Sequence, residues 1–210
     1  MKKYLLFAIA LIASVTLMGQ SDEERGHSPG SGLFLSMSIG PSYMSINDDI
    51  TGGTYDNITF KGYGMGLDFQ LGAVFRENLI FHGDLVAVPS SSLKMTVDGE
   101  EAGTLEDENE IGMMMYGGGL TYYIMPQNIF LSGAIGAGQY TITTAGEEGG
   151  STQTGIGLFL KVGKEWFVSK NWDLGFNFSF KYVYVNNEVE TMAEKLSGIS
   201  AGIGFNATFN

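Results

Sequence analysis

Eight segments of this chain alternate, residue by residue, between large apolar side chains and small or polar ones. Successive side chains of a β-strand point to opposite faces of its sheet, so a period of two predicts strands. The clearest segment, about 172–185, sets aromatic and leucine side chains against Gly, Ser, Asn, Asp and Lys. The eight predicted strands span about 33–45, 60–75, 79–88, 111–125, 129–143, 154–166, 172–185 and 198–209.

The face opposite the large apolar side chains is crowded with Gly and Ser. In the Met-rich first half of the fourth segment, the sequence does not show which side chains lie on which face. Small residues suit the interior of a narrow closed barrel, and large apolar residues then face lipid. A sheet that spans a bilayer must also close, because an open edge would leave backbone groups unpaired in lipid. The sequence therefore predicts an all-β, closed, antiparallel up-and-down eight-stranded transmembrane β-barrel over 33–210.

The connections between these strands alternate in length. Three are tight turns in which an Asn precedes a large apolar residue: Asn78-Leu79, Asn128-Ile129 and Asn171-Trp172. The other four are predicted to be long loops, and they hold 15 of the 23 acidic residues. Short turns at one end and long loops at the other are typical of a membrane barrel.

The first 19 residues have the order of an export signal. Lys2-Lys3 precede an apolar stretch, and Gly19 is a small residue suited to cleavage. We expect 1–19 to be removed and 20–32 to form a flexible lead-in; a membrane anchor is the alternative reading of 1–19. After this segment the sequence contains no run of about 18 apolar residues, so no transmembrane helix is predicted there. Removing the two lysines takes the formal net charge from −12 to −14, which disfavours nucleic-acid binding.

Five ionisable side chains fall on the predicted lumenal face. We expect a lumenal salt-bridge network there, because two acids in a narrow lumen repel each other unless a cation lies between them. A proton or ion pathway is the alternative, although side chains normally fill eight-stranded barrels. The histidine could be a general base or metal ligand, but the chain has no Cys and no second strand His to complete a site. The five are Asp68, His82, Asp84, Lys161 and Lys181.

Aromatic side chains cluster near both ends of the predicted strands, where a membrane barrel carries its interfacial girdles. Lys164, on the lipid face near a short turn, can extend its ammonium to the interface. The expected girdle residues are Tyr43, Tyr63, Trp166, Trp172 and Tyr182.

The second long connection, about 89–110, carries seven acidic residues. Glu106, Asp107 and Glu108 are weak candidates for metal ligands, but their spacing does not match an EF-hand. We expect diffuse binding of divalent cations with roughly millimolar affinity. A solvated acidic loop without a bound ion is the alternative.

This pattern of strands, short turns and acidic loops resembles the eight-stranded outer-membrane barrels of the OmpA and OmpX type, over about 33–210. The resemblance implies the outer membrane of a Gram-negative bacterium, contact with its lipid and lipopolysaccharide, and assembly by the barrel-assembly machinery. That machinery reads an aromatic residue at the end of the last strand; Phe205 and Phe209 fit, but the last residue here is Asn210.

No cofactor site or nucleophile–base pair is found in the sequence. We therefore expect a non-enzymatic role, either structural, membrane-stabilising or in surface recognition through the acidic extracellular loops. The extracellular ligand is not identified by the sequence. A lipid-modifying barrel enzyme and a soluble ligand-carrying barrel are the alternatives, the latter disfavoured because its large apolar residues would face inward.

Overall fold

The computed structural model of the protein describes residues 32–105, 108–144, 147–189 and 192–209. The predicted signal segment, 1–19, and most of the lead-in lie outside these residues. Within them, no helix is long and apolar enough to cross a membrane. The strands are β1 (Leu33–Thr51), β2 (Asn57–Arg76), β3 (Leu79–Ser91), β4 (Lys94–Val97), β5 (Glu100–Thr104), β6 (Asn109–Ile124), β7 (Ile129–Thr144), β8 (Glu147–Ser151), β9 (Gly155–Phe167), β10 (Trp172–Val189) and β11 (Met192–Phe209).

Eight of these strands close into one antiparallel barrel. They pair in the order β1, β2, β3, β6, β7, β9, β10 and β11, and β11 pairs back onto β1. This closing seam is long, since it runs from Leu35 opposite Phe209 to Thr51 opposite Ala193. The predicted all-β, closed, eight-stranded antiparallel barrel is confirmed.

The three tight turns also lie where the sequence predicted them, and they define the short-turn end of the barrel. Asn78 and Asn128 have φ angles of 60° and 52°. This left-handed conformation is costly for most residues, and Asn tolerates it better than most. Asn171 does not adopt it, so the shared Asn has this backbone explanation at two of the three turns.

The opposite end differs from the prediction, because strands continue where long loops were expected. β1 and β2 are separated by only five residues, and Val189 of β10 pairs with Met192 of β11. The second expected loop contains the β4–β5 hairpin, and β4 pairs with the first residues of β2. β8 pairs with the end of β7. We call this the long-hairpin end; its strands carry polar residues on both faces, so the sequence shows no period of two there.

The side chains of the barrel strands face as predicted. Phe81, Phe178 and Ile203 point outward and are more than half exposed, whereas the polar residues between them are buried. The structure also shows which way the Met-rich start of β6 faces: Met113 and Met115 point into the lumen and are each 2% exposed. The outer surface is therefore apolar around the barrel, as a lipid-facing surface must be.

The lumen, however, is less polar than the sequence predicted. A smaller apolar cluster around Phe34, Ile80, Tyr123 and Phe130 lies toward the short-turn end, and polar residues fill the layer between it and a larger cluster. We call the larger cluster, toward the long-hairpin end, the apolar plug. It contains Met44, Ile46, Val86, Val88, Leu93, Ile111, Met113, Met115, Ala134, Tyr140, Phe159, Val183 and Val185.

Three lumenal glycines on neighbouring strands make room for the plug. Gly117, Gly136 and Gly157 lie opposite one another on β6, β7 and β9. A Cβ atom on Gly117 would lie 2.3 Å from the carbonyl oxygen of Ile135, and one on Gly157 would lie 2.6 Å from Cγ of Met115. The glycines thus allow close approach of the strands and leave the space that Met115 occupies.

We expect Phe178→Lys to destabilise the barrel by about 2–4 kcal/mol, because an ammonium in mid-strand would face the hydrocarbon core. Ile156→Lys is the matched control: its side chain also points outward and has a similar exposure, 60% against 53%, but it lies near the long-hairpin end. There the cost should fall to about 0–1 kcal/mol. Urea unfolding in lipid vesicles measures both, and equal losses of stability would contradict the depth assignment.

Candidate functional site

A chain of hydrogen bonds centred on His82 crosses the lumen. His82 and Asp84 lie two residues apart on β3, so both point inward, and their Nδ1 and Oδ2 atoms are 2.6 Å apart. On the other side of the ring, Nε2 lies 2.9 Å from Oγ1 of Thr121 on β6. Thr121 in turn donates to Oγ of Ser132 on β7 over 2.8 Å.

An ion pair joins this chain from across the barrel. Nζ of Lys161 on β9 donates to Oδ2 of Asp68 on β2 over 2.5 Å, and to Oε1 of Gln70 over 3.0 Å. Nε2 of Gln70 donates to Oδ1 of Asp84 over 2.8 Å and to Oγ of Ser132 over 3.1 Å. Gln70 therefore joins the two carboxylates into one network that links β2, β3, β6, β7 and β9.

The second lysine lies higher in the lumen than the two carboxylates. Nζ of Lys181 donates to Oγ of Ser179 over 2.8 Å, and within the described residues it forms no ion pair with Asp68 or Asp84. The ammonium lies 5.6 Å from the centre of the Phe159 ring, a distance suited to a cation–π interaction. A cavity of about 10 Å³, the space of about one water molecule, separates it from Asp68.

Sequence reasoning missed a second network near the short-turn end. Glu165 on β9 is 1% exposed and accepts a hydrogen bond of 2.9 Å from the hydroxyl of Tyr123 and one of 2.6 Å from Oγ1 of Thr208. Nδ2 of Asn206 also donates to this carboxylate. The available signal was the position of Glu165, which continues the lumenal face of β9 beyond Lys161.

The order carboxylate, imidazole, hydroxyl in Asp84, His82 and Thr121 matches the order of a hydrolase triad. A nucleophile must meet its substrate, yet His82 and Thr121 are each 1% exposed. The apolar plug covers the network on one side, and the cluster around Phe130 covers it on the other. The geometry therefore favours a cross-brace that fills the lumen and holds opposite walls together.

The expected girdle residues lie on the outer surface in aromatic pairs. The rings of Tyr43 and Tyr63 meet edge to face at 5.4 Å, beyond the middle of the barrel toward the long-hairpin end. Near the short turns, Trp172 meets Phe209 at 5.4 Å. Trp166, Phe176 and Phe205 follow one another at 6.4 and 5.6 Å, and Tyr182 is a half-buried outward residue of β10. Their interfacial role, and that of Phe205 and Phe209 in assembly, stay predictions.

The proposed cation ligands lie largely outside the described residues. This applies to Glu106 and Asp107, while Glu108 is an exposed turn residue just before β6. Across the described ranges, no group of three or more His, Asp or Glu side chains is arranged to hold a metal ion. Weak binding of divalent cations therefore stays a prediction.

The mouth of the barrel at the long-hairpin end is acidic. Asp48 lies on the extension of β1 beyond Tyr43, and burial raises its pKa from 3.8 to about 6, with further contributions from Glu194 and Asp49. Amide side chains hold the neighbouring carboxylates: Nδ2 of Asn57 donates to Asp49 over 2.7 Å, and Asn187 donates to Glu194 over 2.8 Å. The mouth is thus a polar, hydrogen-bonded rim above an apolar plug.

The sequence matches no protein-family model, and no curated protein matches it significantly. Among solved structures, Neisserial surface protein A is similar with a TM-score of 0.53 and 14% identity, over 85% of this chain and 99% of that one. OprG from Pseudomonas aeruginosa is similar with a TM-score of 0.47 and 17% identity, over 88% of this chain and 99% of that one. The outer membrane protease OmpT from Escherichia coli is similar with a TM-score of 0.43 and 9% identity, over 90% of this chain and 100% of that one. The similarity to Neisserial surface protein A shows that the chain has the fold of the eight-stranded outer-membrane barrels, and the predicted resemblance is confirmed at the level of the fold.

We expect Lys161→Ala to lower the free energy of unfolding by about 3 kcal/mol, because it leaves the buried carboxyl group of Asp68 without its cation. Adding Asp68→Asn should restore much of the loss. Lys164→Ala, on the outer surface, should cost less than about 1 kcal/mol. Urea titrations of the three variants in vesicles test this, and equal midpoints for the two lysine variants would contradict the network.

Asp48→Asn should stabilise the barrel at neutral pH. The raised pKa means that the folded chain keeps this proton between about pH 4 and pH 6 while the unfolded chain loses it, so stability falls as the pH rises through that window. Because Asp48 is only partly buried, we expect a screened gain of about 1 kcal/mol at pH 7.5 and almost none at pH 3.5. Urea unfolding at the two pH values measures the gain in the free energy of unfolding, with Glu100→Gln as an exposed control. An equal gain at both pH values would refute the link between this stability and the protonation of Asp48.

Proposed function

We propose that this chain is an integral barrel of the Gram-negative outer membrane, with its short turns in the periplasm and its long-hairpin end outside the cell. The apolar outer surface supports membrane residence, and the predicted export signal supports passage to the envelope. The same orientation puts the acidic rim and the β4–β5 hairpin in contact with the surroundings of the cell.

The exposed edge strand β5 is the observation that carries a role in surface recognition. All five of its residues are exposed, and among the described strands it pairs only with β4. The backbone N–H of Leu105 bonds to the carbonyl of Leu93 over 2.8 Å. Since backbone groups alternate in direction along a strand, those of Thr104 point away from β4. The free edge therefore offers unpaired N–H and C=O groups to an added strand.

The charge of this edge determines which strand it accepts. Glu100 and Glu101 lie on β5, and Asp98 lies in the turn before it. Oδ1 of Asp98 accepts hydrogen bonds from the backbone N–H groups of Asp56 and Asn57 over 3.0 and 2.9 Å, which anchors the hairpin to the β1–β2 connection. A second copy of this acidic edge would be repelled, whereas an extended cationic segment of another molecule would be attracted.

The barrel therefore acts as a non-enzymatic receptor that recognises an extended, cationic polypeptide outside the cell by strand addition. The closed lumen supports the absence of catalysis, because apolar clusters cover the hydrogen-bond network around His82 on both sides. A membrane-stabilising role is compatible with the same barrel, but none of the contacts among the described residues favours it over recognition.

An extended peptide of alternating Lys and Thr, titrated against the barrel in phosphatidylcholine vesicles and followed by fluorescence anisotropy, tests the recognition. Glu100→Gln with Glu101→Gln should weaken binding about fivefold, the effect of one or two surface charge pairs. Thr104→Pro should weaken it similarly without a change of charge, because it removes an outward N–H group.

Glu147→Gln with Glu148→Gln, on the other hairpin, is the matched charge control and should leave the affinity unchanged. An affinity that falls equally for both pairs of charge variants would indicate general attraction to an acidic rim. Unchanged binding by Thr104→Pro would exclude strand addition.

A further inference from the structure

A groove in the lipid-facing surface lies across β7, β9 and β10. Its volume is about 510 Å³, and every side chain that lines it from the outer face is apolar. Phe178, the most exposed of the larger ones at 53%, lies in mid-strand. The outward lining residues are Leu131, Gly133, Leu160, Val162, Phe178 and Phe180; Ser132 and Lys161 also line the groove, although their side chains join the lumenal network.

The groove exists because Gly133 interrupts a wall of large side chains. A Cβ atom placed on it would make ordinary contact, at 3.4 Å, with Cδ2 of Leu160. Nothing in the backbone requires a glycine here, since its φ angle is not in the left-handed region. The missing side chain leaves a depression bordered by Leu131 and Phe178, which water cannot fill favourably within a bilayer.

A cation lies at the short-turn end of the groove. Lys164 is the next outward residue of β9 after Val162, and its Nζ atom donates to the carbonyl oxygen of Gln127 over 2.7 Å. The same ammonium lies 5.6 Å from the centre of the Trp166 ring. An ammonium has three N–H donors, so two of them are available to a further acceptor.

We propose that the groove binds one acyl chain of an anionic phospholipid of the inner leaflet and that Lys164 binds its phosphate. Lys164 lies four positions beyond Leu160 along β9, which is about 13 Å along the strand and about 10 Å along the membrane normal for a strand tilted by about 40°. A lipid with its phosphate at Lys164 therefore places its chain beside Phe178 and Leu160, on its way to the bilayer middle. The inference rests on the proposed membrane residence and on short turns that face the periplasm.

Trp166 provides a reporter beside the site. The chain has two tryptophans, so Trp172→Phe leaves Trp166 alone. This parent is inserted into phosphatidylcholine vesicles that contain a small, equal fraction of either phosphatidylglycerol or phosphatidylcholine with brominated acyl chains. Brominated phosphatidylglycerol should occupy the site about fivefold more than brominated phosphatidylcholine, the effect expected for one lysine next to an anionic headgroup.

Two variants separate the headgroup contact from the groove. Lys164→Gln should abolish the preference for phosphatidylglycerol, and Gly133→Leu should reduce it at least twofold by filling the groove while the lysine stays. Gly133→Val replaces the latter variant if leucine prevents folding. The matched controls are Arg76→Gln, an exposed cation at the same end, and Gly118→Leu, an outward glycine of β6 whose Cβ would be no closer than 3.8 Å to another residue.

Loss of preference in the two site variants, with both controls unchanged, supports the site. Equal quenching of the parent by the two brominated lipids overturns it. A preference that Gly133→Leu and Gly133→Val both retain assigns selectivity to surface charge alone and also overturns it. A parent chain that does not insert, as judged by heat-modifiable gel migration, overturns the membrane residence and the groove together, so the two failures are distinguishable.

Discussion

Pairing of the first barrel strand with the last is the interaction on which the rest of the structure depends. Inside a bilayer no water can satisfy backbone N–H and C=O groups, so a sheet is stable there only if it has no edge. The β1–β11 seam removes both edges at once, from Leu35 opposite Phe209 to Thr51 opposite Ala193. Closure also creates an inside and an outside with different requirements, which accounts for the alternation of side chains in all eight strands.

This contrast between lumen and lipid explains why so much of the fold could be predicted. In β10, aromatic residues alternate with Asn177, Ser179 and Lys181, so both the strand and its facing follow from the sequence. The prediction fails where the contrast disappears. Beyond the bilayer both faces of a hairpin meet water, so Asn47 and Thr59 pair within β1 and β2 without any hydrophobic period. Within the lumen, Met113 and Met115 give the plug the same apolar character as the lipid face.

The charged residues of the candidate site could be predicted from the sequence, but not which of them pair with one another. The position of a residue in the alternation places Asp68 and Lys161 in the lumen. Only the register of five successive strands brings them together, although they are 93 residues apart in the chain. Gln70, Thr121 and Ser132 were missed because neutral polar residues are common on a lumenal face. Their importance lies in the donors and acceptors that they supply between charged groups, and these are visible only in three dimensions.

The apolar plug gives the chain an unusual problem before the barrel forms. In the completed barrel Met113 and Met115 face the plug while Met114 and Tyr116 face outward, so this part of β6 is apolar on both sides. Such a stretch has no surface that is stable in water, and it has the composition of a segment that aggregates when exposed. On the route across the aqueous periplasm that we propose, the chain would be unfolded, and we expect this segment of β6 to be the one that most needs shielding by an escort chaperone. The residues that close the lumen of the folded barrel are thus also the ones that would limit how long the unfolded chain survives in solution.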